Sequence, residues 1–420
     1  MPRRETSGRG SAVTIGPSDL RDLNRIGWVF CLVVLSIGLY HSRLDARNGD
    51  FVYFYGLGYL LNHYSPAHLY DFPLQISVFQ HIGATPPKGE SWGPFAYPPQ
   101  VAILFQPLAN LPFMIAGRIW QAISVAAYMS GLWLLLGRFC PPEATKRSLW
   151  FCFGLLFWPF VSWILIAGQL SAIGFAAMAL ALRWEDDGHH FSSGLALSVC
   201  TYKPTLLILI LPMLAVIGRW RTLTGFATGS LVVFACGIWY GGLQVWRDYI
   251  TASGRYVSGG IPHVIPARLD LKALMAAVPP DWQWLDWLFV VAGGAAVVWL
   301  AFGWRRFRET AGQRPATLIW ITTVTWTLLL NVYVPVYDSV LAVGGLIASA
   351  EVLRRLFPRM FLASCLTLLV CSYVSTWLSG ITGWQLLTPV LAAIGCLQMF
   401  ACLRQATSGP AMSTAVDDCD

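Results

Sequence analysis

The residues best equipped for chemistry in this chain stand at the edges of apolar runs. Asp50 closes the polar string Asp45-Ala-Arg-Asn-Gly-Asp50 and precedes Phe51-Val-Tyr-Phe-Tyr-Gly-Leu-Gly-Tyr-Leu-Leu-Asn62. The aromatic and leucine content of that second string suits a helix lying along a membrane interface. A carboxylate at its start is either a helix cap or a general base that takes a proton from an attacking hydroxyl. Lys203 is one of only four lysines and falls within the otherwise apolar stretch 195–211. An ammonium there costs at least about 2.5 kcal/mol unless it meets a cavity or a partner, so it either snorkels to the surface or holds an anion such as a lipid phosphate. Pro204 follows at once and breaks the helix, freeing backbone groups that prefer a polar cavity. Asp338 ends Tyr333-Val-Pro-Val-Tyr-Asp338, just inside another apolar run, where it is an interfacial cap, a partner for a nearby arginine, or a second catalytic acid. Gln169, in Gly168-Gln-Leu-Ser171, is a polar break that is either a turn or part of a pocket wall.

The segment from Gly241 to Trp284 adds Arg247, Asp248, Arg255, His263, Arg268, Asp270 and Lys272 among aromatics. Its basic side chains either sit in a solvated loop or contact a phosphate or an anionic acceptor, with Arg268 the candidate for the phosphate. His263 is a candidate for assisting proton transfer.

These groups need a scaffold, and composition says which kind. Hydrophobic residues make up 56% of the chain and charged residues 12%, against about a quarter charged in a soluble domain. The mean hydropathy is +0.58. Runs at 26–40, 149–167, 285–302, 335–350, 360–378 and 384–403 approach the roughly 20 residues that a helix needs to cross hydrocarbon. A lipid-facing backbone must satisfy its own hydrogen bonds, so the expected fold is an all-α polytopic bundle of about 10 to 12 spans. Residues 1–24 and 405–420 read as loose cytoplasmic tails around a membrane region at 25–404. The first span lacks a cleavage pattern and is expected to be retained.

Basic residues set the orientation. Arg3, Arg4, Arg21 and Arg25, then Arg219 and Arg221, then Arg305, Arg306 and Arg308, then Arg354, Arg355 and Arg359 mark four cytoplasmic loops. Segments at about 42–97, 241–284 and 331–337 then lie outside, together with the candidate residues. Lys146 and Arg147 fall inside only if the stretch 101–110 is a short re-entrant piece. On this reading the net charge of +7 is a topology signal, and nucleic acid is not an expected partner. The cysteines stand singly in apolar segments, without CxxC spacing, as packing residues. No acidic DxD cluster stands in an outer loop, since the adjacent pair Asp186-Asp187 lies in a short polar connection, so no metal or other cofactor is required.

Four separated motifs together resemble glycosyltransferase family 87, polytopic enzymes of the GT-C superfamily. They are Gly49-Asp-Phe-Val-Tyr-Phe-Tyr55 running to Leu69-Tyr-Asp71; Phe95-Ala-Tyr-Pro-Pro99 with Pro107-Leu and Leu111-Pro112; Gly168-Gln169 followed by Gly194-Leu-Ala-Leu and Lys203-Pro204; and Pro335-Val-Tyr-Asp338. The resemblance runs over about 48–349. It implies transfer of a hexose, commonly mannose, from a polyprenyl-phosphate sugar, with Asp50 at the position of the catalytic acid and Lys203 beside the donor phosphate. Joined to the residue-level reading, it gives an expected site of Asp50 and Asp338 as catalytic groups, Lys203 and Arg268 at the phosphate, and Tyr53, Tyr97, Gln169, His263 and Tyr337 around the substrate. The late outer turn carries Tyr333 and Tyr337 where family members often have a histidine. The expected partners are the lipid-borne donor, a glycolipid or glycan acceptor and the bilayer, at the extracytoplasmic face of the plasma (inner) membrane, with inversion at the anomeric carbon. A transporter or flippase that moves a lipid-linked sugar without forming a bond is the alternative from another class, and a non-catalytic assembly component is a third.

Overall fold

The computed structural model describes residues 17–44, 49–84, 95–140, 143–258, 267–276, 278, 280–282, 284–309, 316–331 and 333–407. Among them the chain is helical, and the only β-pairing is an isolated bridge between Arg268 and Pro335. His263 and most of both tails lie outside the described residues.

Helix α1 (Pro17–Leu44) leads from the face marked by Arg21 and Arg25 to the opposite face. There the chain forms α2 (Phe51–His63), α3 (Phe72–His81), α4 (Pro99–Phe105) and a 3-10 turn at Leu108–Asn110 before α5 (Phe113–Phe139). With seven residues, α4 is about 10 Å long and too short to cross hydrocarbon. The stretch 101–110 therefore turns back, and Lys146 and Arg147, at the start of α6 (Ala144–Leu156), fall on the basic face with the start of α1. A direct contact agrees: Trp28 of α1 donates to Ser148 Oγ of α6 at 2.8 Å.

After a break containing Pro159, α6 continues as a π-helix at Phe160–Ile166, bent by 67°, and delivers Gly168 and Gln169 to the opposite face. Helix α7 (Ser171–Asp186) returns, and its end is fixed to the end of α5 by Arg138–Asp186 at 2.5 Å. Then comes a feature that hydropathy does not reveal. Helix α8 (His190–Ser198) and a 3-10 turn at Val199–Tyr202 rise to Lys203, and Pro204–Leu207 and α9 (Ile210–Val216) descend again. Both ends of this segment meet one carboxylate: Glu185 Oε1 lies 3.1 Å from His190 Nδ1 and 2.9 Å from Arg219 Nε. The segment 190–219 is thus a re-entrant hairpin with Lys203-Pro204 at its apex, so a lone lysine is carried into the bundle at a point where the helix has already ended.

Helix α10 (Trp220–Ser258) rises beside α8 and bends at Gly242, whose φ is 68°. After α11 (Leu271–Ala276), α12 (Trp284–Glu309) descends to Arg305, Arg306 and Arg308. Helix α13 (Thr317–Leu329) rises from Asp186, which accepts from Thr317 Oγ1 at 2.9 Å. The last three helices, α14 (Val340–Leu356), α15 (Pro358–Thr382) and α16 (Leu387–Thr407), alternate down, up and down.

By length and composition, seven helices qualify as spans, or eight with the bent α6 pair. The shorter α7 and α13 complete the alternation and bring the passes to ten, the lower end of the expected range. Every residue of α13 is buried, and its threonines bond their own helix, as in Thr322 to Leu318 O at 2.7 Å and Thr327 to Thr323 O at 2.8 Å. That is how a threonine-rich segment occupies the centre of an apolar bundle. The periphery is apolar and exposed, with Trp239 at 92% and Trp377 at 81%, as befits a surface in contact with lipid.

Candidate active site

The first site residue is held where two breaks in helix meet. Asp50 occupies the N-cap position of α2, yet its side chain makes no capping bond. Its Oδ2 instead accepts from Gln169 Nε2 at 2.5 Å. The backbone arranges this meeting: Phe51 N donates to Ala167 O at 2.8 Å, and Trp120 Nε1 donates to Gly168 O at 2.7 Å. Only glycine fits at two points of the junction. Gly168 has φ +79°, and a Cβ there would lie 2.7 Å from the Cβ of Phe51, while a Cβ at Gly49 would lie 2.8 Å from the Cα of Ala167. The Asp50 side chain thus makes no cap bond, and among the described residues Gln169 is the side-chain donor to its carboxylate.

Although Asp50 keeps some accessible surface, the surrounding protein displaces enough water to push its carboxyl up to about 6. Desolvation is the main cause, and the Gln169 hydrogen bond and the positive charge of Lys203 pull the other way. The amide oxygen of Gln169 is buried and, among the described residues, has no hydrogen-bond partner, so an acceptor for a hydroxyl stands beside the carboxylate.

Lys203, at the hairpin apex, does not snorkel. It is buried and ion-paired with Asp338 Oδ2, and Ser171 Oγ donates to Asp338 Oδ1 at 2.8 Å. Its ammonium also lies 4.6 Å from the ring centre of Tyr337 and 5.6 Å from that of Tyr333. Arg268 approaches Tyr333 at 5.1 Å and grips Asp270 through two bonds, of 2.6 and 3.0 Å. Asp270 accepts further from Val334 N at 2.9 Å and Ala273 N at 3.1 Å, and Leu269 N reaches Val334 O at 2.7 Å. The Arg268-to-Asp270 segment is thereby clasped to the turn that carries Asp338.

Gln169, which bonds Asp50, and Ser171, which bonds Asp338, stand two residues apart, and Asp338 is paired with Lys203, so the fold brings these groups into one cluster, to which Arg268 and Asp270 are joined at Tyr333. Two of the carboxylates are matched by Lys203 and Arg268. The cluster is then neutral when Asp50 is protonated and carries one negative charge when it is ionised.

Of the residues expected from sequence, Asp50, Gln169, Lys203, Asp338, Tyr337 and Arg268 are brought together. Tyr97 lines the cluster: its ring packs 5.1 Å from Phe54 and 5.0 Å from Phe95, and it lies in electrostatic range of Tyr337. Tyr53 belongs to an aromatic wall further along, stacked 4.9 Å from Phe95 and edge-on to Phe79 at 5.1 Å. His263 is outside the described residues. Sequence reasoning left Asp270 and Ser171 without roles. An Arg-x-Asp spacing in an aromatic segment was the available signal for Asp270, and for Ser171 none existed beyond its place two residues after Gln169. Among the described residues no group of three or more His, Cys, Asp or Glu side chains is arranged to hold a metal ion.

A family model described as Glycosyltransferase family 87 matches residues 95–334, more than half of the chain. The matched stretch contains Gln169, Lys203, Arg268 and Asp270, whereas Asp50 and Asp338 flank it on either side. No curated protein and no solved structure matches the chain.

Proposed function

Because this chain belongs to glycosyltransferase family 87 and is a membrane glycosyltransferase, we propose that the Asp50 cluster moves a hexose such as mannose from a polyprenyl-phosphate donor to an acceptor hydroxyl, with inversion. The observation that carries this reading is the run of contacts that joins Asp50, through the Gln169-to-Ser171 turn, to the Asp338–Lys203 pair. Asp50, held near 6, is ionised at neutral pH and accepts the acceptor's proton. Gln169 fixes one carboxylate oxygen and leaves the other for the hydroxyl. As the acceptor oxygen bonds to the anomeric carbon, the bond from that carbon to the phosphate oxygen breaks, and the electron pair leaves with the phosphate.

Lys203 stabilises that leaving phosphate. An ammonium has three donors, and the contact with Asp338 Oδ2 uses one of them. Asp338, expected as a second catalytic acid, serves in this scheme as the counter-ion that keeps Lys203 charged and aimed. Arg268 is engaged by Asp270 on two bonds and acts by anchoring the late turn, so the phosphate role rests on Lys203. The cluster lies at the face opposite the basic loops, which supports an extracytoplasmic active face by the positive-inside rule; the plasma membrane is part of the proposal.

The test is to supply the full chain, in nanodiscs and in sealed vesicles, with radiolabelled polyprenyl-phosphate hexoses and a membrane lipid extract, and to assign the anomer of the product by NMR. The expected result is a glycosidic product of configuration opposite to the donor. Retained configuration, or movement of the donor across vesicles without any new glycosidic bond, would overturn the proposal, and the second outcome would favour a flippase.

A further inference from the structure

Beside the Asp50 junction runs a groove between α1 and α5 that the reaction scheme does not use. It is lined by Ser42, Phe51, Met114, Arg118, Gln121 and Gly168 among others. Arg118 is half-buried in the second turn of α5, about 8 Å along the helix from its start on the same face as Asp50. Its guanidinium donates to two neutral oxygens, Ser42 Oγ at 3.0 Å and Gln121 Oε1 at 2.7 Å. Among the described residues it has no carboxylate partner, in contrast to Lys203 and Arg268. Its lining includes the apolar Phe113, Ile166 and Met114, the last 45% exposed.

A guanidinium held in an apolar, lipid-facing groove is costly without an anion, and its positive charge suits a phosphate. Phe51 and Gly168 on the groove wall are the chain neighbours of Asp50 and Gln169. A headgroup anchored on Arg118 therefore lies next to the base. We propose that this groove is a second anion subsite, which takes the phosphate of a lipid-borne acceptor on Arg118 while the acceptor's hydroxyl reaches Asp50. The inference rests on the assignment of Asp50 as base and of the donor phosphate to Lys203.

The probe is photoactivatable phosphatidylglycerol, a lipid with both a phosphodiester and free hydroxyls, carried at trace level in phosphatidylcholine nanodiscs that hold the full chain. Cross-links are mapped by mass spectrometry. Labelling is expected on residues 113–121 of the wild type, to be displaced by excess unlabelled phosphatidylglycerol, to fall about tenfold in Arg118→Gln, and to be largely kept in Arg118→Lys. Wild-type labelling of Arg118→Gln would overturn the proposal. So would equal loss in both variants, which would make the Ser42 contact, and not the charge, the operative feature. Displacement by a short-chain polyprenyl phosphate but not by phosphatidylglycerol would assign the groove to the donor and likewise overturn it. Labelling needs no turnover, so it is read separately from the proposed transfer: Asp50→Asn, or a chain inactive with every donor, still reports on the groove.

Discussion

Replacing Gln169 with leucine removes the hydrogen bond that its amide gives the Asp50 carboxylate while keeping a side chain of comparable size. That bond, 2.5 Å long, favours the ionised form and holds the carboxyl down against desolvation. A hydrogen bond to a charged group contributes about 1.5 to 3 kcal/mol, and one pKa unit corresponds to about 1.4 kcal/mol. Its loss should raise Asp50 by about one to two units above its present value of about 6. The sign is definite, because the amide donor stabilises the charge and gives the protonated acid no comparable help. Since the reaction uses the ionised base, the acid limb of kcat/KM should move toward neutral or slightly alkaline pH. At about pH 6.5 the variant should run roughly 3- to 25-fold below wild type, and at about pH 9 the two should converge. The assay is the initial rate of hexose transfer from a labelled polyprenyl-phosphate donor in nanodiscs across that range. An unmoved limb, or a uniform loss at every pH, would refute the idea that Gln169 tunes Asp50.

Four further outcomes follow from the same geometry. Asp50→Asn should lower kcat by about a hundred- to ten-thousand-fold at unchanged protein abundance and abolish the acid limb, which a pH–rate profile will reveal. Lys203→Met leaves Asp338 buried without its cation and should cost about 3 to 5 kcal/mol of stability, whereas Lys203→Met combined with Asp338→Leu should recover most of it in thermal denaturation without recovering transfer. Gly168→Ala forces a side chain into a backbone region with φ +79° and against Phe51, so kcat should fall several-fold as Asp50 shifts, with donor binding retained in an equilibrium assay. Asp270→Asn should loosen the clasp between Arg268 and the late turn, seen as faster hydrogen exchange at Leu269 and Val334.

The ends of the path through the membrane were legible, and its interior was less so. Asp50, Lys203 and Asp338 stood out because a charge beside an apolar run is conspicuous in any single segment. Their partners did not, because Gln169 and Asp50 are brought together by two glycines and a π-helical bend whose effects are tertiary. The hairpin at Lys203 shows the same limit. Pro204 announced a break, but only the shared contact of His190 and Arg219 with Glu185 reveals that both arms return to one face. Hydropathy windows also miss α7 and α13, because an interior helix can be short and can carry threonines that bond their own backbone. Conversely, the position of Lys146 and Arg147 was conditional on one length, and the seven residues of α4 supply it. For Arg268 the sequence leaves a solvated loop and a phosphate both open, and its pairing with Asp270 is visible only once that segment is clasped to the late turn.

The reaction requires that Asp50 and Lys203 address the same bound molecule. A cryo-EM structure of the full chain with a non-hydrolysable polyprenyl-phosphate hexose would measure this directly. The expected density places a phosphate oxygen within about 3 Å of Lys203 Nζ, with the face of the anomeric carbon away from the phosphate open toward Asp50. A phosphate bound elsewhere, with both residues remote from the sugar, would contradict the proposed chemistry outright.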